Sequence, residues 1–334
     1  MNCCNLEINS TSGSLSSHFK VFLSGDEYTG LGVYLLLTGM FGFFGNIVAL
    51  VMFVRDNQFR STVDMLLVNL AFADIGMCGL CFPFVSASNF AQRWLFGESG
   101  CTAYGFAGFL FGNTTIFTLS AISVQRYLVV CKRWPNVRNI NTLVTVVMTT
   151  WFQALLWSSL PLLLPKPYDL EPFGTSCTVS WASDHHGTKI FVRSLVAWVT
   201  LHFLVMAFCY THIYVCSRRA LTKVSSRSYQ DLLVSKICFI LVTAFAICWS
   251  PYMILSSLSL SSLSEAWPLL SALPVMMAKL SSCVNPVLYI LVSRRFRQRY
   301  LETITCRRRT DSKDLGVPSI HVNVTSGSNV TVIP

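Results

Sequence analysis

The sequence predicts an all-α fold: seven membrane-spanning helices packed as one bundle, followed by a short amphipathic helix on the membrane surface. Three observations carry this. The 334 residues are 53% hydrophobic and only 12% charged, about half the charge of an ordinary soluble domain, which is roughly 25%. So few charges cannot solvate a globule of this size, and the same composition excludes disordered, collagen-like and small disulfide-scaffold classes. Seven apolar runs are each long enough to cross a bilayer, which takes about 20 residues: Thr29–Val54, Asp64–Ser88, Thr102–Cys131, Thr142–Leu164, Ile190–Ser217, Val234–Leu258 and Trp267–Val292. Finally, Lys and Arg alternate in density between the connections.

That alternation sets the topology. Arg55 and Arg60, then Lys132, Arg133 and Arg138, then Arg218, Arg219, Lys223, Arg227 and Lys236, then Arg294 through Lys313 fall on one side; the other side holds only Lys20, Arg93, Lys166, Lys189 and Arg193. The positive-inside rule places the N-terminus outside and the C-terminus in the cytoplasm, as expected of a multi-pass plasma-membrane protein. The net charge of +10 is thereby explained by the membrane, and nucleic acid is excluded as a partner because no basic domain stands apart.

In order along the chain, residues 1–28 form an extracellular arm. Met1–Lys20 is polar and carries no cleavable signal pattern, and Asn9-Ser10-Thr11 is a glycosylation acceptor at Asn9. The bundle covers residues 29–292 as a single unit. Of the 13 cysteines most fall inside spans, where a thiol acts as a small hydrophobe. Cys101, at the start of the third span, and Cys177, in the loop after the fourth, both face the oxidising side, where a bridge is chemically allowed. Pro251 interrupts the sixth span and permits a kink. Residues 293–306 place Phe296, Tyr300, Leu301 and Ile304 between arginines, the pattern of a helix lying on the inner leaflet and contacting membrane lipid. Cys306 is then a palmitoylation candidate, with an unmodified thiol the alternative. The polar residues 307–334 are expected to be a disordered cytoplasmic tail.

Ionisable groups inside a membrane are functional candidates, and few exist here: Asp74 in the second span, Arg126 at the inner end of the third, and Lys279 in the middle of the seventh. Lys279 lies six residues before Asn285, about 9 Å along a helix axis, too deep for its ammonium to reach water. It either pairs with a buried acid or loses its charge. A neutral amine is a nucleophile towards aldehydes, so both ion pairing and covalent attachment of an apolar aldehyde are open from the residues alone.

The motifs carry a family resemblance. Gly45-Asn46, Asn69 to Asp74, Arg126-Tyr127, Trp151, Cys248-Trp249-Ser250-Pro251-Tyr252 and Asn285-Pro286-Val287-Leu288-Tyr289 occur in order across the seven spans. Together they resemble the rhodopsin-like G-protein-coupled receptors. Within them Lys279 looks like the retinal-binding lysine of opsins. Glu171-Pro-Phe-Gly-Thr-Ser-Cys177 with Trp181, and Arg93-Trp94 through Tyr104-Gly105-Phe106-Ala107-Gly108, are similar to the neuropsin (opsin-5) group. Peropsin and the retinal photoisomerase opsins are more distant.

The resemblance implies retinal as cofactor, 11-cis in the dark and all-trans after light, held as a Schiff base on Lys279. It implies Glu171 as counterion, since the position at which visual opsins carry a glutamate holds the neutral Tyr104. An unprotonated, ultraviolet-absorbing site is the alternative. Phe109, Gly112, Phe245, Trp249 and Tyr252 match pocket positions. Arg126 and Tyr127, with Gln125 and Asp231 as partners of the arginine, and Asp74, Asn285, Pro286 and Tyr289 match the switching network. Gln125 replaces the family's usual acid, which implies raised dark activity or altered coupling. His202 replaces the fifth span's usual proline and is expected to be a hydrogen-bonded interhelical histidine, with a pH-linked role the alternative. The implied partner is a heterotrimeric G protein, Gi-type first and Gq-type second, with arrestin and a receptor kinase as further candidates. The competing readings are a retinal photoisomerase and an all-trans-retinal-sensing receptor. No enzyme activity and no metal site are expected in the leading reading.

Overall fold

The computed structural model describes residues 23–55, 61–171, 173–179, 185–220, 226–258, 268–292 and 294–305. Asn9, Trp181, Cys306 and the tail from 307 lie outside the described residues, so the glycosylation, palmitoylation and disorder expectations are not addressed by it. Seven helices are long and apolar enough to cross a membrane, and each overlaps its expected run.

Helix α1 spans Gly25–Arg55. It is entered through a reciprocal cap, in which the Glu27 backbone N–H donates to Ser24 Oγ at 3.3 Å and the Ser24 N–H donates to the Glu27 carboxylate at 2.7 Å. Helix α2 spans Thr62–Phe90 and opens with the same device on Ser61 and Asp64. It widens into a π turn at Met77–Cys81 just before Pro83, where the missing proline N–H already breaks the regular ladder. Helix α3 spans Gly97–Lys132, beginning five residues before the apolar run. The Gly97 φ of +64°, which glycine adopts without strain, and the Trp94 indole donating to the Gly97 carbonyl at 2.8 Å set this earlier start.

A 3-10 turn at Pro135–Arg138 leads into α4, Ile140–Leu163, capped by the Asn139 side chain. Strands β1 (Asp169–Leu170) and β2 (Cys177–Thr178) pair antiparallel. Helices α5 (His186–Ala220), α6 (Ser226–Leu258), α7 (Pro268–Val292) and α8 (Arg294–Ile304) complete the order. Pro251 lies inside α6, and Pro274 and Pro286 inside α7.

The helices bury their mixed polar and apolar inner faces. Phe53, Leu66, Leu119, Leu241 and Tyr289 share one core; Leu35, Phe82, Val85 and Phe173 belong to the other. The outer faces keep large apolar residues exposed, among them Phe41, Phe44, Met148, Phe152 and Leu204. A belt of this kind would be insoluble in water and is matched to lipid. Helix α8 packs back on α1: Phe296 is buried against Phe53 at 5.6 Å, and Tyr300 donates to the Gly45 carbonyl at 3.2 Å.

Candidate functional site

Toward one end of the bundle, α3, α5, α6 and α7 enclose a cavity of about 110 Å³. The β1–β2 hairpin roofs it. Cys101 in the first turns of α3 and Cys177 on β2 are joined as a disulfide, their Cα atoms 5.5 Å apart, which ties the roof to α3. Tyr28 on α1 adds a second tie by donating to the Phe173 carbonyl at 2.8 Å. The bend between the strands uses Gly174 at φ +72°, where a side chain would be strained.

All eight residues singled out as ligand-binding candidates line this cavity: Tyr104, Phe109 and Gly112 on α3, Glu171 on the roof, Phe245, Trp249 and Tyr252 on α6, and Lys279 on α7. The Lys279 Nζ is 3.2 Å from the Tyr104 hydroxyl. That hydroxyl accepts from an ammonium or donates to a neutral amine, so it serves either form of the lysine. Glu171 is buried and accepts a hydrogen bond from the Ser176 hydroxyl. Burial pushes its carboxyl above the usual range, and the charge of Lys279 pulls it partly back. No ion pair joins the two groups among the described residues, so Lys279 acts on Glu171 through space.

Trp249 forms the inner wall. Its ring stacks on Phe245 at 5.5 Å and meets Tyr252 edge-on at 6.1 Å. Across the cavity, a Cβ on Gly112 would stand 3.5 Å from the Trp249 ring. The Trp249 indole N–H donates to Ser281 Oγ at 3.0 Å, and Tyr252 shares a hydrogen bond with Thr178 on the roof at 3.2 Å. Ser281, Thr178 and Ser176 are site residues that sequence reasoning missed. Each is a small hydroxyl whose importance depends on a partner far away in the chain. Chemically the site is an apolar slot with one primary amine, one nearby carboxyl and an aromatic wall, suited to a long apolar molecule with an aldehyde end.

Below the cavity lie the residues expected to switch. Asn285 donates to the Asp74 carboxylate at 2.7 Å, and Asn46 donates to the Ser282 carbonyl at 2.9 Å. Asn69 donates to Thr118 at 2.8 Å and accepts from the Trp151 indole at 2.8 Å. Pro286 packs against Gly45, where a Cβ would be 3.1 Å away. Tyr289 is fully buried, stacked on Phe296 at 5.6 Å, and its hydroxyl has no hydrogen-bond partner among the described residues. Tyr127 packs edge-on against Phe208 and His212.

Two expectations are met differently by the geometry. Arg126 Nε donates to the Gln125 side-chain carbonyl at 2.6 Å, and the Gln125 amide donates to Thr62 at 2.6 Å. Asp231, expected beside Arg126, instead pairs with Arg138 at 3.0 Å, because the turn after α3 brings that guanidinium to the foot of α6. His202 packs against Phe117 at 4.7 Å and Trp198 at 5.3 Å. Neither ring nitrogen has a partner among the described residues, so it is not the hydrogen-bonded interhelical histidine expected.

Comparison with known proteins agrees with this architecture. Residues 45–289 match the seven-transmembrane receptor model of the rhodopsin family. Human visual pigment-like receptor peropsin is 27% identical over 313 residues, covering 90% of this chain and 91% of that protein. Mouse Opsin-5 is 31% identical over 280 residues, covering 79% of this chain and 74% of that one. The crystal structure of squid rhodopsin superposes with a TM-score of 0.79 at 24% identity, over 91% of this chain and 94% of that one, which establishes the shared fold. The chain is a multi-pass membrane protein that belongs to the rhodopsin family of seven-transmembrane receptors and, within it, to the opsins.

Proposed function

We propose that this opsin is a light-activated, G-protein-coupled receptor of the plasma membrane, with its N-terminus outside. The observation that carries the reading is the half-buried Lys279 amine, facing an apolar cavity between Tyr104 and a roof carboxyl. When bound through its aldehyde to Lys279 as a Schiff base, retinal supplies light absorption and a light-driven change of shape. The residues present fit it: an amine at one end of the slot, aromatic walls along it, and, among the described residues, no charged side chain but Lys279 and Glu171 on its lining.

The chain's own groups do the rest. Glu171 provides the negative charge that lets the nitrogen of Lys279 hold a proton in apolar surroundings, and Ser176 steadies that charge. The Tyr104 hydroxyl fixes the direction of Nζ. Trp249 fills the inner end of the slot and is tethered to α7 through Ser281. A push on its ring acts just below Pro251, where the α6 backbone is already weakened. Bending there displaces the foot of α6 and opens the cytoplasmic face around Arg126 to a heterotrimeric G protein. A Gi-type protein is the first expectation and a Gq-type the second, with arrestin and a receptor kinase as later partners.

The test is absorbance after adding 11-cis-retinal in darkness, with Lys279→Ala beside it, followed by nucleotide exchange on purified Gα in dark and light. A band shifted by light, absent in the variant and accompanied by light-dependent exchange, is the expected result. A band without exchange in any condition would sink the receptor reading in favour of a photoisomerase, the reading that Gln125 beside Arg126 favours. A band only with all-trans-retinal would point to a retinal-sensing receptor.

A further inference from the structure

Asp231 at the cytoplasmic end of α6 places both carboxylate oxygens on one guanidinium nitrogen of Arg138, at 3.0 and 3.2 Å. The two side chains are 27% and 40% exposed, respectively. Arg138 is held for this contact by its own turn. Val137 beside it is buried, the Asn139 N–H donates back to the Asn136 carbonyl at 3.0 Å, and the Asn139 side chain starts α4. Arg126 instead directs its Nε to Gln125, and Gln125 is in turn engaged by Thr62, while among the described residues the ion pair of Asp231 is with Arg138. The neutral glutamine thus turns Arg126 toward α2 and leaves Asp231 to the loop between α3 and α4.

We propose that the Arg138–Asp231 pair is an autoinhibitory latch. It fastens the foot of α6 to the second cytoplasmic loop in the resting state, and Arg138, not Arg126, is the working partner of Asp231. The inference rests on the receptor reading above. Any outward swing of α6 about Pro251 must carry Asp231 away from a loop that is anchored to α3 and α4, so the pair breaks on opening. A partly exposed pair of this kind shifts a two-state equilibrium modestly, by roughly two- to five-fold.

The full-length chain in lipid nanodiscs is compared with Arg138→Gln, Arg138→Asp, Asp231→Arg and the charge-swapped double variant Arg138→Asp/Asp231→Arg. Two readouts are taken: hydrogen–deuterium exchange of the amides of residues 231–242 in darkness, and nucleotide exchange on Gα in darkness and in light. Each single variant is expected to speed amide exchange at the α6 foot and raise dark nucleotide exchange about two- to five-fold. The swapped pair is expected to return both toward the original values. Unchanged amide protection in the single variants overturns the latch. So does a swapped pair no more protected than Asp231→Arg alone, since that result would leave Arg126 or solvent as the acid's partner. Amide protection lost and regained as expected, with no nucleotide exchange in any variant in light or dark, keeps the latch and removes the receptor reading.

Discussion

Lys279 reaches the hydroxyl of Tyr104, not its ring: Nζ is 3.2 Å from the oxygen and 5.8 Å from the ring centroid. The tyrosine is itself wedged edge-on against Trp94 at 5.3 Å, so the hydroxyl is presented by a fixed ring. Tyr104→Phe should keep that packing and remove only the polar partner. A half-buried amine left without it costs about 1 kcal/mol. Thermal unfolding of the retinal-free protein should show that loss. It should largely vanish when Lys279 is also replaced by Met, because the orphaned group is then gone. A loss of the same size in both backgrounds would mean that the hydroxyl does not serve Lys279.

Glu171 gives a pH signature. Burial holds its carboxyl above the ordinary range, and Lys279 offsets this only in part. The folded protein therefore binds that proton more tightly than the unfolded chain does. Its contribution to stability is fully present below the unfolded pKa of about 4.3 and is lost as pH rises through the higher folded value. Glu171→Gln mimics the protonated form and should remove the dependence. In the retinal-free protein, the Tm of the two should coincide at acid pH, with the glutamine variant higher near neutrality. Parallel Tm curves across the whole range would contradict the assignment.

The parts of this molecule readable from residue order are those set by local pattern. Apolar runs gave the spans, and isolated polar groups inside them gave Lys279, Asp74 and Asn285, since lipid leaves such residues only an interior to face. The Cys101–Cys177 bridge was legible only as chemically allowed, and the fold supplies the pairing. What was not readable depends on distant parts of the chain meeting. The Tyr28 hydroxyl finds the Phe173 carbonyl 145 residues away, and Trp249 finds Ser281 across two helices. Asp231 was assigned to Arg126 by family pattern. The geometry of a four-residue turn decided for Arg138, and no periodicity records where such a turn points.

Two glycines on α3 separate space that is free from space that is filled. A Cβ at Gly112 would sit 3.5 Å from Trp249, an ordinary contact, whereas one at Gly105 would sit 2.4 Å from the Tyr168 ring. Tyr168 cannot simply retreat, because its hydroxyl is bonded to the Ser158 carbonyl at 2.8 Å. Gly112→Ala should therefore leave stability within about 0.5 kcal/mol, and Gly105→Ala should cost about 1–3 kcal/mol. Gly112→Leu should spare the fold yet block the slot, seen as lost 11-cis-retinal uptake with unchanged helical circular dichroism. Normal uptake by that variant would remove Gly112 from the cavity wall.

Gln125 is the departure with the clearest energetic consequence. It presently accepts from Arg126 Nε at 2.6 Å and donates to Thr62 at 2.6 Å, a neutral relay in place of an ion pair. Replacing it with glutamate keeps the acceptor for Arg126 and adds charge. Charge-assisted hydrogen bonds are roughly twice as strong as neutral ones, a gain of about 1 kcal/mol. Thr62 loses nothing, because its hydroxyl rotates to donate where it had accepted. The closed arrangement is thereby favoured, and dark nucleotide exchange by Gln125→Glu should fall about five-fold. On the receptor reading proposed above, a light-driven signal should need a correspondingly larger bias to reach the same level. Exchange equal to that of the original chain, in both dark and light, would show that the Arg126 relay does not hold the resting state and would leave the contacts of α6 to do so.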